Sequence, residues 1–150
     1  MPEATLDSPF GPLTLTERDG LLTALSWRAG DRDHTPALDA AVAQLAGYFA
    51  GSRRDFDLPL RFGEGFQGAF LRALAAIPFG ETRTYGDLAG DLGVSAQAIG
   101  QACGANPLPI LIPCHRVLAA GGRLGGFSAP GGVETKVALL RHEGAAGLLI

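Results

Sequence analysis

The chain has 150 residues, 47% of them hydrophobic, and a formal net charge of −3 at pH 7. That is enough apolar mass for one compact unit or two small ones, and no run approaches the roughly 18 apolar residues of a membrane-spanning helix. The start, Met1-Pro-Glu-Ala-Thr-Leu-Asp, lacks the basic and apolar regions of a secretory signal. Cys103 and Cys114 form no disulfide framework and no zinc-ligand spacing, so a cytoplasmic protein with free thiols and no metal is expected. The charge is uneven: residues 1–58 carry five Arg against nine Asp or Glu, residues 59–150 seven Lys or Arg against six. Neither part advertises polyanion binding, and a contact with nucleic acid would fall to a local patch on the second.

Residues 8–28 are predicted as a β-hairpin. Phe10, Leu13, Leu15, Leu21, Leu22, Leu25 and Trp27 supply its apolar positions, and Glu17-Arg-Asp-Gly20 its turn. After a polar loop containing His34, read as a surface residue, the spacing of Leu38, Val42, Leu45 and Phe49 predicts a helix over 36–50. Thr35 stands at its cap and Pro36 at its first position. Phe56 to Leu60 is a candidate strand. Beyond a linker at 61–65, Phe66, Phe70, Leu74 and Ile77 share one helical face, and Pro78-Phe-Gly80 ends that helix.

Thr84 caps a short helix from Tyr85, Gly93-Val94 turns the chain, and Ser95 caps a second helix reaching about Cys103. This is a helix-turn-helix pattern, which many proteins use without binding anything. Ile99 and Cys103 are expected to face the core. Gln97 and Gln101 lie four apart among Ala96, Ala98, Gly100, Ala102 and Gly104. So small a face suits either close approach to a nucleic acid, with the glutamines as hydrogen-bonding groups, or close helix–helix packing.

The chemistry concentrates at Ile110-Leu-Ile-Pro-Cys-His-Arg-Val117, reached through Asn106, Pro107 and Pro109 and followed by a glycine-rich loop over 121–132. A free thiol is only a few per cent ionised at neutral pH. His115 can take its proton directly or through one water, and Glu143 can orient the imidazole. Such a set would serve acyl transfer, peptide cleavage or displacement at carbon equally well. A buried inert cysteine is the structural alternative. His142 is read as a residue of a helix C-terminus. Arg116 and Arg123 are each weighed as a phosphate contact or a solvated charge, Arg116 with some packing.

From Asn106 to Gly144 the chain resembles the O6-alkylguanine-DNA alkyltransferases, also called methylated-DNA–protein-cysteine methyltransferases. The resemblance rests on Asn106-Pro107, Ile112-Pro-Cys-His-Arg-Val117, Gly125-Gly-Phe-Ser128 and the segment Lys136 to Gly144. It extends upstream through Phe66-Gln67, Ile77-Pro78, Gly80 and Thr84-Tyr85. It covers residues 62–144 well and the first sixty by general plan.

The resemblance implies an α+β protein. A small N-terminal α/β domain, residues 1–61, would be packed on a helical DNA-binding domain, residues 62–150, with a winged helix-turn-helix. It implies a monomer whose partner is double-stranded DNA carrying O6-alkylguanine, with O4-methylthymine as a further candidate substrate, and no cofactor. Cys114 would accept the alkyl group once, irreversibly. His115 would take the thiol proton through a water, with Glu143 orienting it. Asn106 would tie the turn before the active-site strand to the helix-turn-helix. Tyr85 would help turn out the damaged nucleotide and donate to the base. Ser128 would contact its O6 side, and the backbone at Cys114 and Val117 would read its edge. Ser95, Gln97, Gln101 and Arg123 would face the DNA, the second helix lying in the minor groove.

The chain departs from the family pattern in two places. Gln97 stands where an arginine is usual, and Ala129-Pro-Gly-Gly132 lengthens the loop after Ser128 by about two residues. The zinc of some relatives needs N-terminal ligands that this chain lacks. Two other readings compete: a protein that binds alkylguanine without reacting, favoured by Gln97 and opposed by Cys114, and an unrelated cysteine hydrolase using Cys114, His115 and Glu143.

Overall fold

The computed structural model describes residues 1–145. The last five residues of the second predicted domain, 146–150, lie outside the described residues. The chain divides into two compact units, one from Met1 to Arg61 and one from Phe62 onward.

The first unit is a three-stranded antiparallel meander with one helix. Strands β1 (Glu3–Ser8), β2 (Gly11–Arg18) and β3 (Leu21–Ser26) pair in sequence order. The expected hairpin is thus the second half of a larger sheet. Its first strand, Glu3-Ala-Thr-Leu-Asp-Ser8, is short and mixed in polarity, and it forms because β2 offers a free edge. The β2–β3 turn places Asp19 at φ 53° and Gly20 at φ 81°, the left-handed pair that a two-residue hairpin needs. Leu13 and Leu15 are fully buried. Thr14 between them is buried as well, where it hydrogen-bonds Thr5 and the Arg28 carbonyl.

Helix α1 (Pro36–Phe49) begins where the capping residues predict. Thr35 Oγ1 accepts from the Leu38 amide, and its hydroxyl donates to the buried Glu17, fastening the helix start to β2. The buried stripe is Ala37, Leu38, Ala41, Leu45 and Tyr48, rotated from the expected Val42 and Phe49. Small alanines let the helix approach β1 and β2, and Tyr48 fills the space between Phe49 and Phe56. The candidate strand over 56–60 reduces to one bridge, Leu60 beside Leu22. Pro59 cannot donate to a ladder, which limits pairing there.

The second unit is mostly helical. Helix α2 (Gly65–Ala75) buries Phe70, Leu71 and Leu74, whereas Phe66 remains 41% exposed, stacked on Phe70. Phe66 lies in the first turn, where the stripe has run past the core. Helix α3 (Tyr85–Leu92) starts in a reciprocal capping box between Thr84 and Asp87, and ends at Gly93 in the left-handed conformation. Helix α4 (Ala96–Gly104) is capped by Ser95, whose hydroxyl oxygen accepts from the Ala98 amide. Helices α3 and α4 pack together as a helix-turn-helix, with Leu88 and Ile99 buried. Strand β4 (Arg83–Thr84) pairs in parallel with β5 (Val117–Leu118), and α5 (Val133–His142) closes the described chain.

Candidate active site

The expected strand through the cysteine is instead a single 3-10 turn, Cys114–Arg116, running directly into β5. Pro113 before it has φ −81° and ψ 70°, and its carbonyl accepts from the Arg116 amide, which tightens the turn. The approach is strained. Ile110 has φ 73°, a region costing a β-branched residue about 1–3 kcal/mol, and it is 99% buried. Asn106 holds this approach in shape. Its Nδ2 donates to the Ile112 carbonyl at 2.8 Å and its Oδ1 accepts from the Leu108 amide at 3.0 Å.

Behind the cysteine lies a buried ionic cluster. His115 Nε2 meets Glu143 Oε2 at 2.8 Å; Arg116 donates to both carboxylate oxygens, through Nε at 2.8 Å and Nη2 at 2.9 Å. A third guanidinium bond, from Nη1, reaches the Ile77 carbonyl at 2.6 Å. Burial would raise the Glu143 carboxyl, but the hydrogen bonds from His115 and Arg116 outweigh it and hold it at about 2. Glu143 is therefore an acceptor only, which assigns the His115 proton to Nε2. Burial pushes the imidazole below its ordinary value of 6.5, with Glu143 opposing, so the ring is neutral at pH 7. Its Nδ1 then carries a free lone pair, buried and without a hydrogen-bond partner among the described residues. The cluster presents a neutral imidazole of fixed tautomer at the residue following Cys114.

Cys114 itself is buried, and desolvation pushes its thiol above the ordinary range. A hydrogen bond from Asn106 and the charge of Lys136 act in the opposite direction. The resting thiol is thus protonated, and nucleophilic attack requires that the proton be taken.

Lys136 was not singled out from the sequence as a site residue. It is fully buried on α5, and its Nζ donates to the carbonyls of Val117 (2.7 Å), Leu124 and Gly126 (3.2 Å). One ammonium thereby ties β5 to the glycine-rich loop. Burial lowers its pKa, and Cys103 and Cys114 partly restore it. Its position within the Lys136 to Gly144 segment was the only sequence signal, because its partners are backbone carbonyls.

Above Cys114 opens a cavity of about 520 Å³. The start of α3 contributes Tyr85, and α4 contributes Ala96, Gly100, Cys103 and Gly104. Gly126, Phe127 and Ser128 of the glycine-rich loop form the remaining wall. Cys103, expected in the core, therefore faces the cavity; in α4 it lies half a stripe away from the buried Ile99 and Ala102. The Tyr85 ring lies 6.0 Å from Lys136 Nζ, and a side chain at Gly125 would meet the Tyr85 hydroxyl at 3.0 Å. Burial raises the Tyr85 phenol above 10, so it keeps its proton and remains a donor.

Cys114, His115, Glu143 and Asn106 thus form one cluster, and Tyr85 and Ser128 share the cavity. Val117 is buried, its carbonyl already accepting one bond from Lys136. Ser95, Gln97 and Gln101 lie exposed on α4, Ser95 engaged as the cap, and Arg123 is exposed on the loop. Arg116 points inward to Glu143 and is not a phosphate contact. His34 is exposed, 2.9 Å from Asp39, and His142 is the last residue of α5. No group of three metal-ligating side chains occurs among the described residues, and none of their helices is long and apolar enough to cross a membrane.

A buried cysteine lining an open cavity, followed in sequence by a histidine held by Glu143, in a unit that carries a helix-turn-helix, fits the class of proteins that react through a thiol with what the cavity admits. Comparison with known proteins narrows the class. Residues 65–145 match the model of the 6-O-methylguanine DNA methyltransferase DNA-binding domain, and residues 1–62 that of the same family's ribonuclease-like domain. The methylated-DNA–protein-cysteine methyltransferase of Mycolicibacterium paratuberculosis is 44% identical over 93% of this chain and 90% of its own length. The constitutive enzyme of that name from Bacillus subtilis is 38% identical, over 93% of each chain. The crystal structure of Mycobacterium tuberculosis OGT in complex with DNA superposes with a TM-score of 0.83 at 42% identity, over 96% of this chain and 93% of that one. This chain belongs to the 6-O-methylguanine DNA methyltransferase family.

Proposed function

We propose that this protein repairs DNA by transferring the alkyl group of O6-alkylguanine to Cys114 Sγ, once per molecule. What supports the reading is the buried thiol of Cys114 lining the cavity, with a neutral His115 next to it in sequence whose tautomer Glu143 fixes. The target atom is hidden in a duplex, so the damaged nucleotide turns out of the stack into the cavity at a cost of a few kcal/mol. His115 Nδ1 takes the thiol proton through an intervening water, and the Glu143 carboxylate stabilises the imidazolium against the opposing charge of Arg116. The thiolate attacks the alkyl carbon in line, an S–C bond forms and the C–O6 bond breaks. Its electron pair returns to the purine, where Tyr85 steadies the developing charge as a hydrogen-bond donor while keeping its own proton, and the proton taken by His115 passes through water to the released base.

Ser128 contacts the O6 side, and the backbone at Cys114 and Val117 meets the base edge. Asn106 and Lys136 hold these groups in register. Ser95, Gln97, Gln101 and Arg123 face the duplex, Gln97 at the start of the helix that enters the minor groove. The product thioether has no leaving group, so each molecule acts once. The displacement needs only a nucleophile and a leaving group, without cofactor or metal. O4-methylthymine offers the same leaving-group chemistry. The reading places a monomer of this protein in the reducing cytoplasm, where a free thiol persists.

The test is intact mass after incubation with a duplex carrying one O6-methylguanine. The expected result is one methyl in place of one hydrogen, mapped to the peptide containing Cys114, with stoichiometry one. Cys114→Ala should show no gain and still bind the duplex. Repeated turnover, or transfer by the alanine variant, would overturn the reading; lesion-selective binding without mass gain would point to a non-reacting lesion binder.

A further inference from the structure

Helix α4 presents Ala96, Gly100, Cys103 and Gly104 to the cavity. Their spacing of four, three and one places them on one stripe of the helix. Three of them carry a methyl group or nothing, and a Cβ added at Gly100 or Gly104 would meet no protein atom within 4 Å. Cys103 alone extends beyond Cβ, so its sulfur decides how far this wall reaches into the space beside the acceptor.

Cys103 and Cys114 line the same cavity. Burial pushes the Cys103 thiol up to about 12, and Cys114, once a thiolate, would push it the same way. Tyr85 feels both cysteines. Held protonated, Cys103 does not compete with Cys114 as nucleophile. What it contributes is volume.

We propose that Cys103 sets the upper size of the alkyl group this protein accepts, through the bulk of its side chain on the α4 wall beside Cys114. The proposal rests on the alkyl-transfer reading. In-line displacement places sulfur, alkyl carbon and O6 on one axis. A methyl group stays on that axis. The remaining carbons of a longer chain fan out sideways and meet the walls, and on the α4 side the first heavy atom beyond a methyl is the Cys103 sulfur. The other wall, Phe127 and Ser128, belongs to a loop held at Gly126 and Leu124 by Lys136.

The experiment is a competition in one tube between duplexes carrying O6-methylguanine and O6-butylguanine, with the two adducts on the Cys114 peptide read by mass. Because both adducts come from the same molecules, the active fraction cancels. Cys103→Ala should raise the butyl-to-methyl ratio on the order of tenfold, the lower end of what one missing wall atom is worth. Cys103→Val and Cys103→Leu should lower it progressively, and Cys103→Ser, nearly the same size, should stay within twofold of the parent. Thermal melting checks each variant, and the alanine and valine arms suffice should leucine fail to fold. A ratio constant within twofold from Ala to Val would overturn the proposal, as would a serine variant behaving like alanine. Failure of the parent protein to form either adduct would instead sink the alkyl-transfer reading itself.

Discussion

Replacing Glu143 by glutamine tests the buried cluster where it is most exposed to failure. The buried carboxylate accepts from the buried His115 Nε2 and from two nitrogens of the nearly buried Arg116. Its pKa lies at about 2 against an ordinary 4.5. At about 1.4 kcal/mol per unit, that difference corresponds to about 3 kcal/mol of stability at pH 7. The same figure follows from the cost of orphaning a buried charge, about 3–5 kcal/mol, because Glu143→Gln leaves the Arg116 guanidinium without its carboxylate. Glutamine also turns an amide toward that guanidinium.

The folded-state pKa is depressed, so the contribution is fully present above 4.5 and is lost as pH falls toward 2. At pH 3 about 1.5 kcal/mol of it should remain. Urea denaturation of parent and variant at pH 7 and pH 3 measures both numbers, and the melting temperature at pH 7 should fall by about 6–12 °C. A gap below about 1 kcal/mol at pH 7, or one that does not narrow at pH 3, would refute the reasoning.

Three further outcomes are expected. The rate of transfer to Cys114 should be flat near neutral pH and fall on the acid side with a midpoint below 6.5, because burial lowers the His115 pKa and only the neutral ring accepts a proton; a midpoint at or above 6.5 would remove His115 as base. Lys136→Met keeps the length of the side chain but strips the donors from the carbonyls of Val117, Leu124 and Gly126. It should destabilise the protein by on the order of 3 kcal/mol, and amide exchange over residues 125–128 should speed at least tenfold; unchanged protection there would show that the ammonium does not hold the loop. Gln97→Arg adds a cation on the exposed first turn of α4 and should tighten binding to lesion duplex, steepening the salt dependence by about one counterion. Equal or weaker binding would mean that position 97 does not approach the DNA.

Helix starts and turns were legible in the sequence because their causes are local. Thr35, Thr84 and Ser95 cap helices through atoms three residues away, and Asp19-Gly20 turns the hairpin through its own backbone angles. The Pro-Cys-His-Arg core and Glu143 were legible for a related reason: the residue types needed for thiol chemistry are few, and their setting resembles one family. The β1 strand was missed because its pairing depends on an edge supplied by β2. Phe66 has the right spacing for a core face but sits one turn before that core begins.

By itself, then, the sequence determined the helix-turn-helix and singled out Cys114, His115 and Glu143 as candidates for acceptor, base and orienting carboxylate, all of which are written in contiguous residues or motifs. Only the tertiary structure decided what surrounds them. Arg116 could have met phosphate or solvent, and it is instead folded onto Glu143, 27 residues away, and onto the Ile77 carbonyl. Lys136 is committed to three backbone carbonyls, and Cys103 looks into the cavity instead of the core. Such placements are set by which buried charges find partners and which helix face the packed core leaves over. Both are long-range sums over the whole unit, and residue type and spacing do not encode them.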